Sequence, residues 1–178
     1  MDPHMHLSPT VVVIFGGGGD LTHRKLIPAL YNLFLDHWLP QEFAILGVDR
    51  LNLNDDAYCR RLRDGVDRFS RRGKTKDLEW GQFASHIHYQ SADFTDAGAY
   101  AQLSDYLSKY DKDRQVQAHH IFYLATPPSL IDVIARQLHQ AQLLAQKERS
   151  RVVVEKPFGR DLDSARRLNR QLFNLMSE

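Results

Sequence analysis

Short apolar runs alternate along the chain with longer segments of helical periodicity. Residues 11–15 form a continuous β-branched run that glycines follow at once, which predicts a buried strand entering a tight turn. The same pattern predicts further strands at residues 43–48, 87–93, 120–124 and 151–154. Between them, apolar residues recur at helical spacing, and a final helix is predicted from Leu162 to about Met176.

The predicted order of elements is β-α-β-α-α-β-α-β-α-β-α. Strands that alternate with helices favour a parallel sheet covered on both faces, and right-handed crossovers make that sheet doubly wound. The sequence therefore predicts an α/β fold of the Rossmann-like kind, with three α/β/α layers. We expect residues 10–178 to form one dinucleotide-binding domain and residues 1–9 to be a disordered leader.

The helix after the second strand is predicted to begin at a cap made by Asp55 or Asp56. Its inward face is predicted to carry Tyr58, Leu62, Val66 and Phe69. Aspartates interleave with its basic residues, so we interpret that face as solvated; the basic residues are Arg60, Arg61, Arg63, Arg68, Arg71 and Arg72.

Composition narrows the function classes. The 178 residues suit one domain, and the formal net charge of +1 suggests neither a nucleic-acid partner nor a membrane surface. The single Cys59 excludes an internal disulfide and fits a reducing compartment, so we expect a cytoplasmic protein. No apolar run approaches the length of a membrane span, and no histidine spacing predicts a metal site.

Glycines follow the first strand directly, and they are Gly16, Gly17, Gly18 and Gly19, followed by Asp20 and Leu21. In an open parallel sheet this turn lies where ligands bind, and the next helix begins with free N–H groups that favour negative charge. Leu21 stands where the usual dinucleotide fingerprint has Gly or Ala, so the turn is a G-x-x-G-D-L variant. The pattern predicts a pyrophosphate cradle; a purely structural turn is the alternative.

Asp49 and Arg50 close the second strand, where a dinucleotide fold meets the adenosine ribose. An acid there hydrogen-bonds the 2′-hydroxyl of NAD, and an arginine there neutralises the 2′-phosphate of NADP. Adjacent residues point in different directions, so only one of the two need face the ribose. The alternative is a solvated pair in a loop.

Candidate residues also follow the fourth and fifth strands. Thr126, Pro127 and Pro128 could form a wall against the cofactor, although a plain strand terminator would look the same. Glu155 and Lys156 could place a cation near the nicotinamide or an anionic substrate. Lys25, shortly after the glycine turn, is another cation that could face the cleft, with solvent as its alternative.

Taken together, these motifs resemble the glucose-6-phosphate dehydrogenase family. The resemblance rests on G-G-G-G-D-L-T-H-R-K-L from Gly16, G-V-D-R from Gly47, T-P-P-S from Thr126 and E-K-P-F-G from Glu155. It runs from about residue 10 to the end of the chain. It implies an enzyme that oxidises glucose 6-phosphate to 6-phosphogluconolactone in the pentose phosphate pathway, with NADP, or alternatively NAD, as the cofactor.

By the same resemblance, the turn and Lys25 bind the pyrophosphate and Arg50 binds the 2′-phosphate. Lys25 and Lys156 lie where coenzyme and substrate meet, and the peptide bond between Lys156 and Pro157 is cis or switches. Gly18 and Asp49 depart from the family's usual hydroxyl and neutral residue, which weakens the case for strict NADP preference.

The family's R-I-D-H-Y-L-G-K-E segment, with the catalytic-base histidine and a phosphate-binding lysine, does not occur here. We therefore assign no catalytic residue. We expect a coenzyme domain that is inactive alone, cut from a longer enzyme whose catalytic and dimerisation domain follows. We expect that full enzyme to be a homodimer or tetramer. The alternatives are a sugar oxidoreductase domain of the Gfo/Idh/MocA type and a free-standing nucleotide-binding module.

Overall fold

The chain folds around one parallel sheet. The computed structural model describes residues 7–156 and 162–176. Five strands alternate with helices, in the order β1 (Thr10–Phe15), a π-helical turn (Thr22–Leu26), α1 (Ile27–Leu35), β2 (Phe43–Asp49), α2 (Asp55–Phe69), α3 (Asp77–Ala84), β3 (Ile87–Ser91), α4 (Ala97–Arg114), β4 (His119–Leu124), α5 (Pro128–Gln140), β5 (Ser150–Val154) and α6 (Leu162–Met176).

The strands lie in the order β3-β2-β1-β4-β5, and every neighbouring pair is parallel. The chain builds outward from β1 to β3 and then returns to β4 on the other side of β1. Phe15 at the end of β1 pairs with Val48 on one side and Leu124 on the other, so these strands finish level. The reversal of strand order therefore opens a crevice at the carboxyl edge between β1 and β4, which is where such sheets bind ligands.

Successive residues of β1 bury against opposite layers of helices. Val11, Val13 and Phe15 belong to a core cluster that includes residues of α4, α5 and α6. Ile14 belongs to a second cluster with residues of α1, α2 and α3. Apolar burial on both faces is the reason that β1 reads as a continuous hydrophobic run. The predicted doubly wound, three-layer α/β fold is confirmed.

The strands begin and end within two residues of their predicted bounds, but two predictions about α2 are wrong. Asn54 caps the helix, because its side-chain oxygen accepts a hydrogen bond from the Ala57 N–H at 2.9 Å. Phe69 is 42% exposed rather than buried. Its ring lies under the Arg24 guanidinium, 5.1 Å from the ring centre, so it packs on the first helical segment at the surface.

The helix after the glycine turn is the third place where the structure differs from the prediction. It is helical from Asp20, but residues Thr22–Leu26 form a π-helical turn in which the Ile27 N–H bonds to the Thr22 carbonyl. Gly65 of α2 packs against this turn so closely that a Cβ there would lie 2.3 Å from the His23 carbonyl oxygen. The sequence predicts an ordinary helix here, since periodicity does not reveal one extra residue in a turn.

Two predictions fall partly or wholly outside the described residues. Of the predicted leader, residues 1–6 lie outside them, while the Pro9 carbonyl accepts a hydrogen bond from the His119 N–H at 2.7 Å. The predicted isomerism at Pro157, and the Phe158 and Gly159 that complete the E-K-P-F-G motif, also lie outside the described residues.

Candidate functional site

The glycine turn lies at the carboxyl edge of the sheet and leaves no room for side chains at its first two positions. Gly16 has a φ of +86°, and a Cβ there would lie 2.4 Å from the Ala125 carbonyl oxygen. A Cβ on Gly17 would lie 2.7 Å from the Cα of Gly47 in β2. The turn therefore needs glycine both for its backbone angle and for its close approach to the neighbouring strands.

The N–H groups of the four glycines are already bonded within the protein. Gly16 and Gly17 donate to the Val48 carbonyl at 2.9 and 3.1 Å, and Gly19 donates to the Gly16 carbonyl at 3.0 Å. Gly18 donates to Asp49 Oδ2 at 2.9 Å. The glycines therefore shape the turn rather than offer donors to a ligand.

The available donors come one step later in the chain. The helix starts at Asp20, and the N–H groups of Asp20, Leu21 and Thr22 have no acceptor within it because of their position in the first turn. The His23 N–H is already bonded to the Gly19 carbonyl at 3.1 Å. The helix thus begins with N–H groups that have no acceptor within it and with the positive end of its dipole directly after the glycine turn, an arrangement that attracts an anion such as a pyrophosphate.

The carbonyl groups of the turn are held from α2 as well as from the turn itself. Thr22 is fully buried and its hydroxyl donates to the Gly16 carbonyl at 2.9 Å. The buried Tyr58 hydroxyl donates to the Gly17 carbonyl at 3.0 Å, and Arg61 Nη2 donates to the Gly18 carbonyl at 2.9 Å. These contacts fix the turn before any ligand arrives, which lowers the entropic cost of binding.

Sequence reasoning missed the roles of Tyr58 and Arg61. Tyr58 was predicted as a core residue, which it is, but burial also raises the pKa of its phenol and keeps it protonated as a donor. Arg61 was assigned to a solvated face and instead reaches the glycine turn. One signal was present: a glycine inside a buried strand marks a close approach, and a Cβ on Gly47 would lie 2.3 Å from the Tyr58 hydroxyl.

The other arginines of the predicted solvated face are also partly engaged. Arg63 pairs with Asp77 at 2.5 Å, Arg68 with Asp64 at 2.9 Å, and both Arg71 and Arg72 with Asp36. Arg61 differs from these arginines, because its contact is to a carbonyl of the glycine turn.

Asp49 and Arg50 face different ways at the end of β2. The Asp49 carboxylate turns toward the glycine turn and accepts hydrogen bonds from the N–H groups of Gly18 at 2.9 Å and Arg50 at 2.7 Å. The Arg50 side chain is exposed. Its charge contributes to lowering the pKa of Asp93, although the two hydrogen bonds from Thr95 are the larger causes. The carboxylate and the guanidinium thus both lie at the carboxyl edge, where an adenosine ribose would enter.

Thr126 lines the other side of the turn, after β4. Its methyl group lies 3.4 Å from the position that a Cβ on Gly16 would take. Its hydroxyl is buried and has no hydrogen-bond partner among the described residues. Pro127 and Pro128 are exposed and begin α5, Pro127 as the cap and Pro128 in the first turn. A buried hydroxyl without a partner beside the glycine turn fits a ligand that supplies the missing bond.

Glu155 follows β5 and is held by the neighbouring strand. The Tyr123 hydroxyl donates to Glu155 Oε1. Burial and, to a lesser extent, the hydrogen bond to Glu155 together raise the pKa of Tyr123 to about 12, so the phenol stays a donor at neutral pH. Lys156 and Lys25 are both exposed. Within the described residues neither ammonium group has a bonding partner, so both are free to meet an anion.

The arrangement can bind an anionic dinucleotide along the carboxyl edge. The described residues contain no group of three His, Cys, Asp or Glu side chains placed to hold a metal ion. Among the same residues, no helix has the length and apolar character needed to cross a membrane. The residues present fit a dinucleotide, because the glycine turn lets a phosphate approach the backbone closely. In addition, the buried Thr126 hydroxyl has no hydrogen-bond partner among the described residues.

Comparison with known proteins agrees with this geometry. Residues 13–178 match the family model described as glucose-6-phosphate dehydrogenase, NAD binding domain. A glucose-6-phosphate 1-dehydrogenase of Treponema pallidum is 40% identical over 167 residues, which are 93% of this chain and 32% of that protein. The chain thus spans about a third of the length of the curated relatives it matches.

Two solved structures have the same fold over nearly the whole chain. A glucose-6-phosphate 1-dehydrogenase from Mycobacterium avium matches with a TM-score of 0.80 and 35% identity, over 93% of this chain and 34% of its own. A glucose-6-phosphate dehydrogenase in complex with glucose 6-phosphate matches with a TM-score of 0.82 and 32% identity, over 96% of this chain and 35% of its own.

Proposed function

The chain belongs to the glucose-6-phosphate dehydrogenase family, and we propose that it is the coenzyme-binding domain of an enzyme that oxidises glucose 6-phosphate to 6-phosphogluconolactone. The observation that carries the proposal is the glycine turn, bonded internally at every glycine N–H and followed by a helix with free donors. The family match favours this enzyme over a Gfo/Idh/MocA-type oxidoreductase, whose usual G-x-G-x-x-G fingerprint Leu21 breaks.

In this proposal, NADP binds along the carboxyl edge of the sheet and supplies the acceptor for the hydride removed from C1 of the sugar. The first-turn N–H groups of residues 20–22 bind its pyrophosphate. Arg50 binds the 2′-phosphate of the adenosine ribose, and Asp49 offers an alternative acceptor for the 2′-hydroxyl of NAD. Thr126 and the exposed prolines after it pack against the coenzyme beyond the turn.

Glu155, Lys156 and Lys25 act where coenzyme and sugar phosphate meet. The Tyr123 hydroxyl holds the Glu155 carboxylate, and Lys156 is the next residue, so it lies at the same edge of the sheet. The two ammonium groups attract the anionic substrate and hold it beside the coenzyme. We assign the general base to no residue of this chain and expect the chain alone to bind coenzyme without turning over.

The cellular location and the oligomeric state of the complete enzyme are also part of the proposal. We propose that the complete enzyme is a cytoplasmic homodimer or tetramer in which residues 10–178 form the dinucleotide-binding domain and a further domain supplies the catalytic base. Its substrate is a small sugar phosphate, with neither nucleic acid nor membrane as a partner.

Calorimetric titration of the chain with NADP and NAD tests the proposal. We expect both coenzymes to bind and Arg50→Ala to weaken NADP by about 1.5–3 kcal/mol, because one charge-assisted phosphate contact is lost, while NAD changes little. Equal, small losses for both would identify Asp49 as the ribose reader instead. Failure of the unaltered chain to bind either coenzyme would contradict coenzyme binding. NADP reduction with glucose 6-phosphate at an ordinary enzymatic rate would contradict inactivity of the chain alone.

A further inference from the structure

Arg61 on α2 was predicted to lie on a solvated face, but its side chain bonds to the Gly18 carbonyl. We propose that Arg61 is a second specificity-determining residue for the 2′-phosphate of the coenzyme, acting together with Arg50. The inference rests on the proposed function, since it names a further residue in the same nucleotide site.

The contacts of one glycine place Arg61 at the ribose end of the crevice. Arg61 Nη2 lies 2.9 Å from the Gly18 carbonyl oxygen, and Asp49 Oδ2 lies 2.9 Å from the Gly18 nitrogen. The guanidinium and the carboxylate therefore bind opposite ends of a single residue. Tyr89 lies at the same place, because its hydroxyl donates to the Asp49 backbone carbonyl at 3.2 Å. Arg61 consequently lies within one residue of the group that would read the ribose hydroxyl.

Most of the hydrogen-bonding capacity of Arg61 is unused. A guanidinium carries five N–H donors, and among the contacts of the described residues Arg61 makes one, to the Gly18 carbonyl. Its side chain is exposed, so the remaining donors face solvent. Arg63 and Arg68 on the same helix are instead paired with Asp77 and Asp64. A phosphate can therefore be bound by Arg61 without breaking an existing ion pair.

The charges near the proposed ribose site favour a second guanidinium when the coenzyme is NADP. A phosphate monoester carries about −1.5 to −2 charges near neutral pH, and the Asp49 carboxylate at the same place adds another. The Asp93 carboxylate also interacts with Arg50, so Arg50 alone leaves these groups with a net negative charge. Arg61 brings their sum to zero before the phosphate arrives, and its unused donors can then bind the dianion.

Gly18 explains why the extra donor comes from α2. A glycine offers no side-chain hydroxyl to the phosphate, and a Cβ there would lie 2.5 Å from Leu51 Cδ1 and 3.2 Å from Asp49 Oδ2. Leu51 and Asp49 thus fill the space beside Gly18 in this chain, and the turn itself supplies no side-chain donor at this position. Arg61 brings its donors to the same residue from the neighbouring helix.

Two nucleotides that differ only in the 2′-phosphate test the proposal on the 178-residue chain. We would titrate 2′,5′-ADP and 5′-ADP into the unaltered chain and into Arg61→Ala, Arg61→Gln and Arg60→Ala. Arg60 is the matched control, because it is the preceding exposed arginine of α2 and makes no contact with the turn among the described residues. Urea unfolding of each variant shows whether it is folded.

For Arg61→Ala we expect affinity for 2′,5′-ADP to fall about ten-fold or more, as for loss of one charged hydrogen bond, with 5′-ADP nearly unchanged. Arg61→Gln keeps an amide that can donate to the Gly18 carbonyl but lacks the charge, so we expect the same selective loss. Arg60→Ala should leave both affinities as they were.

Equal losses for the two nucleotides in Arg61→Ala, restored by Arg61→Gln, would overturn the proposal and leave Arg61 as a support for the turn only. Unchanged affinity for 2′,5′-ADP in both variants would overturn it as well. Failure of the unaltered chain to bind either nucleotide would overturn coenzyme binding itself, an outcome that is distinguishable from the other two.

Discussion

The two sides of the carboxyl edge differ in how far the protein has completed them. On the β1–β2 side, the N–H groups of the four glycines and the carbonyls of Gly16, Gly17 and Gly18 have partners within the chain. On the β4–β5 side, the described residues leave the Thr126 hydroxyl and the Lys156 ammonium without partners. The first side is a preformed cradle, whereas the second offers groups that a ligand would have to satisfy.

Because of this difference, ligand binding should cost less conformational entropy on the β1–β2 side than on the β4–β5 side. A preformed turn loses little conformational entropy when a pyrophosphate and adenosine arrive, so affinity there depends on the integrity of the turn. The exposed Lys156 must be ordered by the ligand, so affinity on the β4–β5 side depends on what binds to it. Changes to the glycine turn and its supports should therefore alter both the free energy of unfolding and nucleotide binding. Changes on the β4–β5 side should alter the free energy of unfolding without altering ADP binding.

The largest effect is expected where the turn has no room. Gly16→Ala places a Cβ against the Ala125 carbonyl at a positive φ, and we expect a loss of about 3 kcal/mol in the free energy of unfolding together with loss of ADP binding. Gly73→Ala is the matched control, because Gly73 has a φ of +78° but nothing within 4 Å of its Cβ position. We expect it to lose about 1 kcal/mol from backbone strain alone. Urea unfolding of both variants measures the contrast, and equal losses would contradict the role given to the Ala125 contact.

A smaller effect is expected when one support of the cradle is removed. Tyr58→Phe leaves the buried Gly17 carbonyl without its donor, and we expect a loss of about 1–2 kcal/mol in unfolding free energy and weaker ADP binding. Tyr106→Phe is the control, because the described residues offer its buried hydroxyl no partner and its removal should cost nothing. Chemical denaturation and ADP titration of both variants check the prediction. A similar loss from both would show that the bond to Gly17 is not what matters.

The smallest effect is expected on the opposite side. Tyr123→Phe removes the hydrogen bond to Glu155, which is only partly buried, and we expect a loss of about 0.5–1.5 kcal/mol in unfolding free energy. ADP affinity should stay unchanged, because Tyr123 makes no contact with the turn among the described residues. Unfolding and ADP titration together check this pair of outcomes. Loss of ADP binding in this variant would mean that the two sides are coupled.

The elements were predictable because their signals are local. The β-branched run before Gly16 and the strand ending at Asp49 could be read directly, since burial on two faces requires continuous apolar residues. The strands ending at Leu124 and Val154 are less buried, but their short apolar runs were also readable. The Asn54 cap and the π-helical turn were not predicted. The first depends on which of three neighbouring polar residues stays outside the helix, and the second on the close approach of Gly65.

In the candidate site, too, local features could be predicted from the sequence and contacts between distant residues could not. The sequence by itself determined that a glycine turn joins a buried strand to a helix, and that Asp49 and Arg50 close the next strand, because these features lie within a few residues of one another. Only the tertiary structure decided which N–H groups remain free and which arginine reaches the turn. Tyr58 and Arg61 contact glycines 41 and 43 residues away in the chain, and such contacts depend on how α2 packs beside β2. Helical periodicity indicates which face of α2 is buried, but not which backbone carbonyl a long side chain will reach.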